Sequence, residues 1–336
     1  MKAVVLRKVR EVEVRDVPEP EMAPDQIKVK VAYAGLCGSD IEIYEGRFVP
    51  PDWTSVEGHV MGHEASGTIT AIGKDIRGKF AVGQRVAMNF RSTCGACYYC
   101  TNGMEHFCEQ LRMNSGAMAE TAVYYENCVF PLPDEVPMDV GAFLEPVSVA
   151  VHAIDKANIR PGGSVMITGA GPIGLLIMQL ALRAGAAKLL VSEPLADKRK
   201  LAQDLGADVV VDPLHEDLAA AVKKLTGGRG FDTVMEASGK VAVCKQIIPF
   251  AHACGTIVWC GVYPATSEVA VPPYYMYDQE LTIRSIRISP YTFPRALAIL
   301  SKLTLKPLLI AYPMKDALQA FADHMAGRGV KMMIQP

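Results

Sequence analysis

Two short stretches of the chain carry donors suited to one metal ion. Cys37, in Cys37-Gly38-Ser39-Asp40, offers a thiolate; His63 and Glu64, in Gly62-His63-Glu64, offer an imidazole nitrogen and a carboxylate. All three donor types suit Zn²⁺, and three protein ligands leave one coordination position for water or substrate, as in a catalytic site. Ser39 follows Cys37 by two residues, so its hydroxyl is a candidate proton relay. Glu145 stands among Phe143, Leu144, Val147 and Val149, where an acid is costly unless paired or bound to a cation. It is a candidate fourth ligand or a partner one atom further out.

A second set is denser. Cys94, Cys97, Cys100 and Cys108 follow a C-x2-C-x2-C-x7-C spacing. Cysteines two residues apart turn onto one metal through a short knuckle, and four thiolates make a closed tetrahedral Zn²⁺ site. An iron–sulfur cluster also takes four thiolates. His106 lies inside the loop, but the sulfurs already fill the shell.

A third set is built for phosphate. The run from Gly162 to Thr168 reads as a strand and leads into Gly169-Ala170-Gly171-Pro172-Ile173-Gly174, followed by an apolar helical run from Leu175 to Ala184. This is G-x-G-x-x-G in its strand–turn–helix setting. Gly169 permits the turn, Gly171 lets a pyrophosphate approach the backbone, and Gly174 allows close helix–strand packing. Glu193 closes the next strand 24 residues after Gly169, near the separation at which an acid accepts the ribose hydroxyls. That acid would repel a 2′-phosphate and favours NAD(H) over NADP(H); Lys198, Arg199 and Lys200 close behind pull the other way. Gly239, Gly261 and Val262 fall at the ends of later strands, where a cofactor would lie.

The elements that must position these groups fall into two textures. Before residue 90 the chain reads as short strands (Lys2 to Leu6, Gln26 to Ala34, Gly67 to Ile72) broken by prolines, with no periodicity for a long helix. Ser115 to Glu120 and then Val123-Tyr124 read as strand, and Asp139 to Ala153 as helix. From residue 150 to 288, strands at Lys188 to Ser192, Asp208 to Val211, Asp232 to Met235 and Gly255 to Val262 alternate with helical patterns such as Leu218 to Thr226. That alternation implies a doubly wound parallel sheet, an α/β fold. Residues 289–336 carry two helix patterns and a last extended run from Val330 to Ile334, expected to return to the first domain, residues 1–149, whose metal lobe covers about 90–110.

Length supports two domains, since 336 residues exceed what one core usually holds. The chain has 34 Lys and Arg against 36 Asp and Glu, a net charge of -2, and no arginine stripe or finger spacing, so nucleic acid is not an expected partner. The most apolar helix candidate is too short for a bilayer, and the N-terminus lacks a signal-peptide pattern, giving a cytoplasmic expectation. Nine cysteines, four of them in one cluster, fit thiolates held for metal better than a disulfide scaffold.

Together these groups describe an alcohol dehydrogenase: zinc acidifies a carbinol hydroxyl and a nicotinamide accepts the hydride across a cleft between domains. On the residues quoted, the chain resembles the zinc-containing medium-chain dehydrogenase/reductase family over essentially its full length. Within it, Glu145-Pro146-Val147-Ser148-Val149-Ala150-Val151-His152-Ala153 is similar to a segment of the polyol (sorbitol), butanediol and threonine dehydrogenase branches. The resemblance implies a GroES-like, mostly β catalytic domain beside a Rossmann domain, and a homotetramer or dimer. It implies two zinc ions per chain, one catalytic and one structural. Cys37 and His63 would be firm ligands; Glu64 and Glu145 would exchange with water or act one shell out. Glu42 stands where relatives often carry a relay histidine. Tyr44, Arg47, Arg91 and Arg112 are possible substrate contacts, and His59 is a weaker one. The expected substrate is a polyol or sugar alcohol, with 2,3-butanediol, L-threonine and a sugar-alcohol phosphate as alternatives. A non-catalytic NAD-binding structural or sensing protein is the alternative of another class.

Overall fold

The computed structural model describes residues 1–49, 57–114 and 116–336. The chain divides into two compact units, Met1–Glu145 with Phe293–Pro336, and Pro146–Thr292.

The first unit is built on strands. β1 (Lys2–Lys8) and β2 (Glu11–Asp16) form an antiparallel pair. β3 (Gln26–Gly35), β4 (Glu64–Ile72), β5 (Arg85–Met88), β8 (Thr121–Tyr125) and β9 (Val129–Pro131) belong to the main sheet, while β6 (Arg91–Ser92) pairs with β7 (Arg112–Met113). Alternation along β3 buries Ile27, Val29 and Val31 on one face, where they meet Ile69, Val86 and Tyr124. Each such side chain withdrawn from water stabilises the unit by roughly 1.5–3 kcal/mol.

The register of this sheet brings the first metal candidates together. β3 and β4 run antiparallel with Gly35 opposite Glu64. Two residues past Gly35 comes Cys37, and one before Glu64 comes His63, so both leave the sheet at the same end. β5 runs antiparallel to β4 with Met88 opposite Ala65, which carries Phe90 to His63. The chain after β3 then turns into a short helix, α1 (Gly38–Tyr44). Seven residues are too few to show as a long helical period, and the sequence pattern did not mark it.

The second unit holds one six-stranded parallel sheet, ordered β12-β11-β10-β13-β14-β15. Its strands are β10 (Ser164–Thr168), β11 (Lys188–Ser192), β12 (Val209–Val211), β13 (Phe231–Glu236), β14 (Ala251–Trp259) and β15 (Thr282–Ser285). Val165, Met166 and Ile167 are fully buried in the central strand, as expected for parallel strands covered on both faces. The order reverses at β10, which has β11 on one side and β13 on the other, and ligands of such sheets bind beyond the strand C-termini at that point.

The tail returns to the first sheet. β16 (Leu309–Pro313) and β17 (Lys331–Gln335) lie parallel, and β17 pairs antiparallel with β3, Met333 opposite Gly35. Two readings need correction. The residues 116–120 are not a strand: Ala119 makes an isolated bridge to Ala3 and regular pairing starts at Thr121; Ser115 lies outside the described residues. The helix read from Asp139 to Ala153 is two helices, Met138–Gly141 and Leu144–Ala157. Pro146, which has no N–H to donate, falls in the first turn of the second, where none is needed. Among the described residues, no helix is long and apolar enough to cross a membrane.

Candidate functional site

Donor atoms of Cys37, His63 and Glu64 lie within 4.8 Å of one another. Asp40, on the first turn of α1, binds this group from behind. One of its carboxylate oxygens accepts the Cys37 N–H at 2.8 Å, and the other lies 3.5 Å from His63 Nδ1. The Phe90 ring packs on the imidazole, with centroids 4.9 Å apart. Burial works against a proton on His63, but Asp40 and the Cys37 sulfur outweigh it and raise its pKa well above the usual value. A site that draws a proton to this ring in the absence of metal also attracts a metal ion in its place.

Lys331, the first residue of β17, reaches into the same site. It is 2% exposed and forms an ion pair with the carboxylate of Glu64, which is 1% exposed. The Phe143 ring lies 5.7 Å from the ammonium. The pair lies over Gly35. A Cβ there would fall 2.1 Å from a Glu64 oxygen and 2.9 Å from Lys331 Cε, so glycine is required for clearance. Glu145 stands outside the three-residue group. Burial first, and then the charge of Glu64, push its carboxyl up to about 7, against the pull of His63, Lys331 and Arg91. A thiol, an imidazole and a buried carboxylate with donor atoms within 4.8 Å of one another form a set that suits a divalent cation.

The other residues proposed from sequence take varied places. Ser39 is half-buried on the first turn of α1. Glu42 is held by Arg47, whose Nε donates to it at 2.7 Å, and Arg47 also pairs with Glu45. Tyr44 packs its ring on Phe321, with centroids 5.6 Å apart. Arg112 is exposed, pairs with Asp25 at 3.2 Å and lies over the Tyr125 ring. Of Arg47, Arg91 and Arg112, only Arg91 is buried; it donates to the His106 carbonyl at 2.8 Å. The backbone carbonyl of His59 accepts from Leu6 N.

In the cysteine lobe, the sulfurs of Cys94, Cys97, Cys100 and Cys108 also converge within 4.8 Å. Backbone N–H groups aim at them, Cys97 N at the Cys94 sulfur and Cys94 N at the Cys108 sulfur, both at 3.3 Å. Neighbouring N–H groups lower Cys97 to about 6, while burial raises Cys100 to about 12. Backbone donors around clustered thiolates match a tetrahedral zinc site with all four positions filled.

In the second unit the glycine turn joins β10 to a helix, Pro172–Arg183, capped by Gly171 with Pro172 at its first position. A Cβ at Gly174 would strike the Gly169 carbonyl at 1.9 Å, whereas one at Gly171 would meet nothing within 4 Å. The first glycine serves packing and the second leaves a cradle open beside the helix N-terminus, which fits a pyrophosphate. Glu193, at the end of β11, accepts from Ala170 N at 2.7 Å and Leu195 N at 2.9 Å. Ile173 follows Pro172 in the first turn of the helix. At the ends of β13 and β14, Gly239 and Gly261 approach so closely that a Cβ on Gly261 would be 2.7 Å from the Gly239 Cα, and Val262 is 87% exposed. Buried Glu236 organises this corner, accepting from Ser238 N at 2.7 Å and from the Tyr263 hydroxyl.

Sequence reading missed the roles of Asp40 and Lys331. Asp40 sits within Cys-Gly-Ser-Asp; Lys331 is a lone charge in the apolar run Val330 to Ile334. Both anomalies were signals available in the chain.

The family descriptions agree with this geometry. Residues 23–134 match the alcohol dehydrogenase GroES-like domain, and residues 172–302 match the zinc-binding dehydrogenase domain. The chain is 33% identical over 331 residues to the D-arabitol-phosphate dehydrogenase of Enterococcus avium, covering 95% of this chain and 92% of that one. It is 32% identical over 333 residues to the sorbitol dehydrogenase of Halalkalibacterium halodurans, covering 96% and 95%. The solved structure of the alcohol dehydrogenase TADH from Thermus sp. ATN1 superposes with a TM-score of 0.92 at 27% identity, covering 100% of this chain and 99% of that one. The chain belongs to the zinc-type medium-chain dehydrogenase/reductase superfamily, with its GroES-like β domain and Rossmann-like parallel sheet. Membership carries the general activity of that superfamily, NAD(H)-dependent oxidoreduction.

Proposed function

We propose that this protein is a zinc-dependent dehydrogenase that moves a hydride between NAD(H) and a secondary alcohol or ketone, with a polyol or sugar alcohol as its substrate class. The observation that carries the reading is the convergence of Cys37, His63 and Glu64 at one end of the sheet, with Glu145 buried close by. In this reading Cys37 and His63 hold the catalytic zinc, Glu64 divides its time between the ion and Lys331, and Glu145 acts as a ligand or through a water. Zinc held there would lower the pKa of an alcohol hydroxyl, and a nicotinamide would supply the hydride acceptor. Asp40 fixes the ring of His63 and the backbone of Cys37. Ser39 carries the substrate proton outward. Glu42 is a poor next acceptor: the Arg47 guanidinium lowers its pKa, so the proton passes from Ser39 to water. Gly169, Gly171 and Gly174 shape the pyrophosphate cradle, and Glu193 takes the ribose hydroxyls and favours NAD(H). Four thiolates kept for a second zinc suit a reducing, cytoplasmic setting, and assembly as a dimer or tetramer belongs to the same proposal.

A sugar-alcohol phosphate is the second reading. It is favoured by the likeness to a D-arabitol-phosphate dehydrogenase and by buried Arg91, whose charge acts on Glu145. Initial rates of NADH formation separate the two. The panel holds sorbitol, xylitol, galactitol, 2,3-butanediol, L-threonine and the hexitol and pentitol phosphates, with NADP⁺ as control. Turnover of a free polyol with NAD⁺ supports the first reading, and turnover of phosphorylated substrates alone replaces it with the second. No turnover by zinc-loaded protein that binds NADH would point to a non-catalytic role.

A further inference from the structure

The sequence puts an acid and an arginine at the same edge of the dinucleotide site, and the two make opposite demands. Glu193 excludes a 2′-phosphate; an arginine beside it would welcome one. The structure shows how the arginine is engaged. Arg199 lies on a helix, Ala196–Asp204, which follows β11. One guanidinium nitrogen donates to the Glu193 backbone carbonyl at 2.8 Å, and the other lies 3.0 Å from the carboxylate of Asp212.

Asp212 follows β12 directly, as Glu193 follows β11, and the two strand ends are tied by a Glu193 N–H bond to the Val211 carbonyl at 3.0 Å. Asp212 is itself firmly held. Its second oxygen accepts from Leu214 N at 3.0 Å, and its own N–H donates to Glu216 at 3.3 Å. The exposed His215 ring also reaches the oxygen that pairs with Arg199, at 3.1 Å. Asp212 is buried and the Arg199 side chain is 19% exposed. An ion pair so shielded from water keeps its partners together better than a surface pair.

We propose that Asp212 is a determinant of cofactor choice: it binds Arg199 and denies that guanidinium to a 2′-phosphate. The inference rests on Glu193 facing the adenosine ribose. Discrimination then has two parts. Glu193 repels the phosphate, and Asp212 occupies the arginine that leans on the Glu193 carbonyl. A carboxylate and a phosphate compete for the same planar fork of donors, so neutralising Asp212 releases the fork. Neutralising Glu193 alone does not.

The test compares Glu193→Ser, Asp212→Asn and the double variant in zinc-loaded protein. Binding of 2′,5′-ADP and of NADH is measured by calorimetry, beside the NADP⁺/NAD⁺ ratio of kcat/KM. The double variant is expected to bind 2′,5′-ADP about ten-fold more tightly than the product of the single effects predicts, the coupling typical of groups sharing a partner. Arg199→Gln in the double background is expected to erase the gain, while in the Glu193→Ser background it changes 2′,5′-ADP affinity little. Additive single effects, or a gain that survives Arg199→Gln, would overturn the role of Asp212. Should Asp212→Asn fail to fold, a large loss of 2′,5′-ADP binding on adding Arg199→Gln to Glu193→Ser would overturn it alone, since the arginine would then already be free. If Glu193→Ser leaves NADH affinity untouched, the ribose reading itself falls, and that result is distinguishable from the others.

Discussion

At the scale of single residues, the metal site is a question of charge. Asp40, Glu64 and Glu145 are buried together near Cys37 and His63, and Lys331 is the cation seen to pair directly with Glu64. Removing one partner of a buried ion pair costs about 3–5 kcal/mol, because the other charge is left unanswered. A metal ion at the site offers Glu64 a second partner. Lys331→Met is therefore expected to lower the thermal unfolding midpoint strongly in metal-stripped protein and much less in zinc-loaded protein. Equal losses in the two forms, measured by calorimetry, would mean that Glu64 never turns to the metal. Legibility divides along the same line. Cys37, His63 and Glu64 were visible because each stands in a short run whose chemistry is local. Lys331 was not, since its partner lies more than two hundred and sixty residues away and only the pairing of β17 with β3 joins them.

At the scale of elements, the cysteine lobe is the clearest case of ligands replacing a core. Between residues 93 and 110 the buried residues are Cys100 and Cys108, and regular structure amounts to one helical turn at Tyr98–Thr101 and a 3₁₀ turn at Glu105–Phe107. With so little apolar surface to bury, the segment would draw its order from a metal held by the four sulfurs, as small zinc modules do. Cys100→Ser is expected to lower the zinc content from two ions per chain to one and to open the lobe to limited proteolysis. Elemental analysis and mass mapping of the first cuts check both, and a variant that keeps two zinc ions would remove the four-thiolate site. Elements with strong local patterns were readable, including the β-branched strands of the parallel sheet and the glycine turn into the helix Pro172–Arg183. The run at 116–120 was misread because its alternation ends in an isolated bridge rather than a ladder. Asp212 was hidden for a different reason: an acid after a strand reads as an ordinary turn until the helix bearing Arg199 is folded against it.

At the scale of the whole molecule, the first unit is completed by the last residues of the chain. β17 does not sit at the margin of its sheet; it lies between β16 and β3, and continuing its register past Met333 and Gly35 sets Lys331 opposite Cys37. The Leu36 N–H donates to the Met332 carbonyl at 2.9 Å, so the backbone that delivers Cys37 is itself held by the tail. Long-range pairing of this kind adds no local sequence pattern, and its loop-closure cost is met only when the strand docks. Deleting residues 331–336 removes the strand, the Lys331 ammonium and the support of Cys37 at once. The four-cysteine lobe keeps all its ligands within fifteen residues of chain and does not draw on β17. The truncated protein is therefore expected to lose the Cys37–His63 zinc and to retain the lobe zinc, one ion per chain in place of two. Retention of both ions by soluble truncated protein would show that the site closes without the tail, and would refute the dependence argued from the register of β3 and β17.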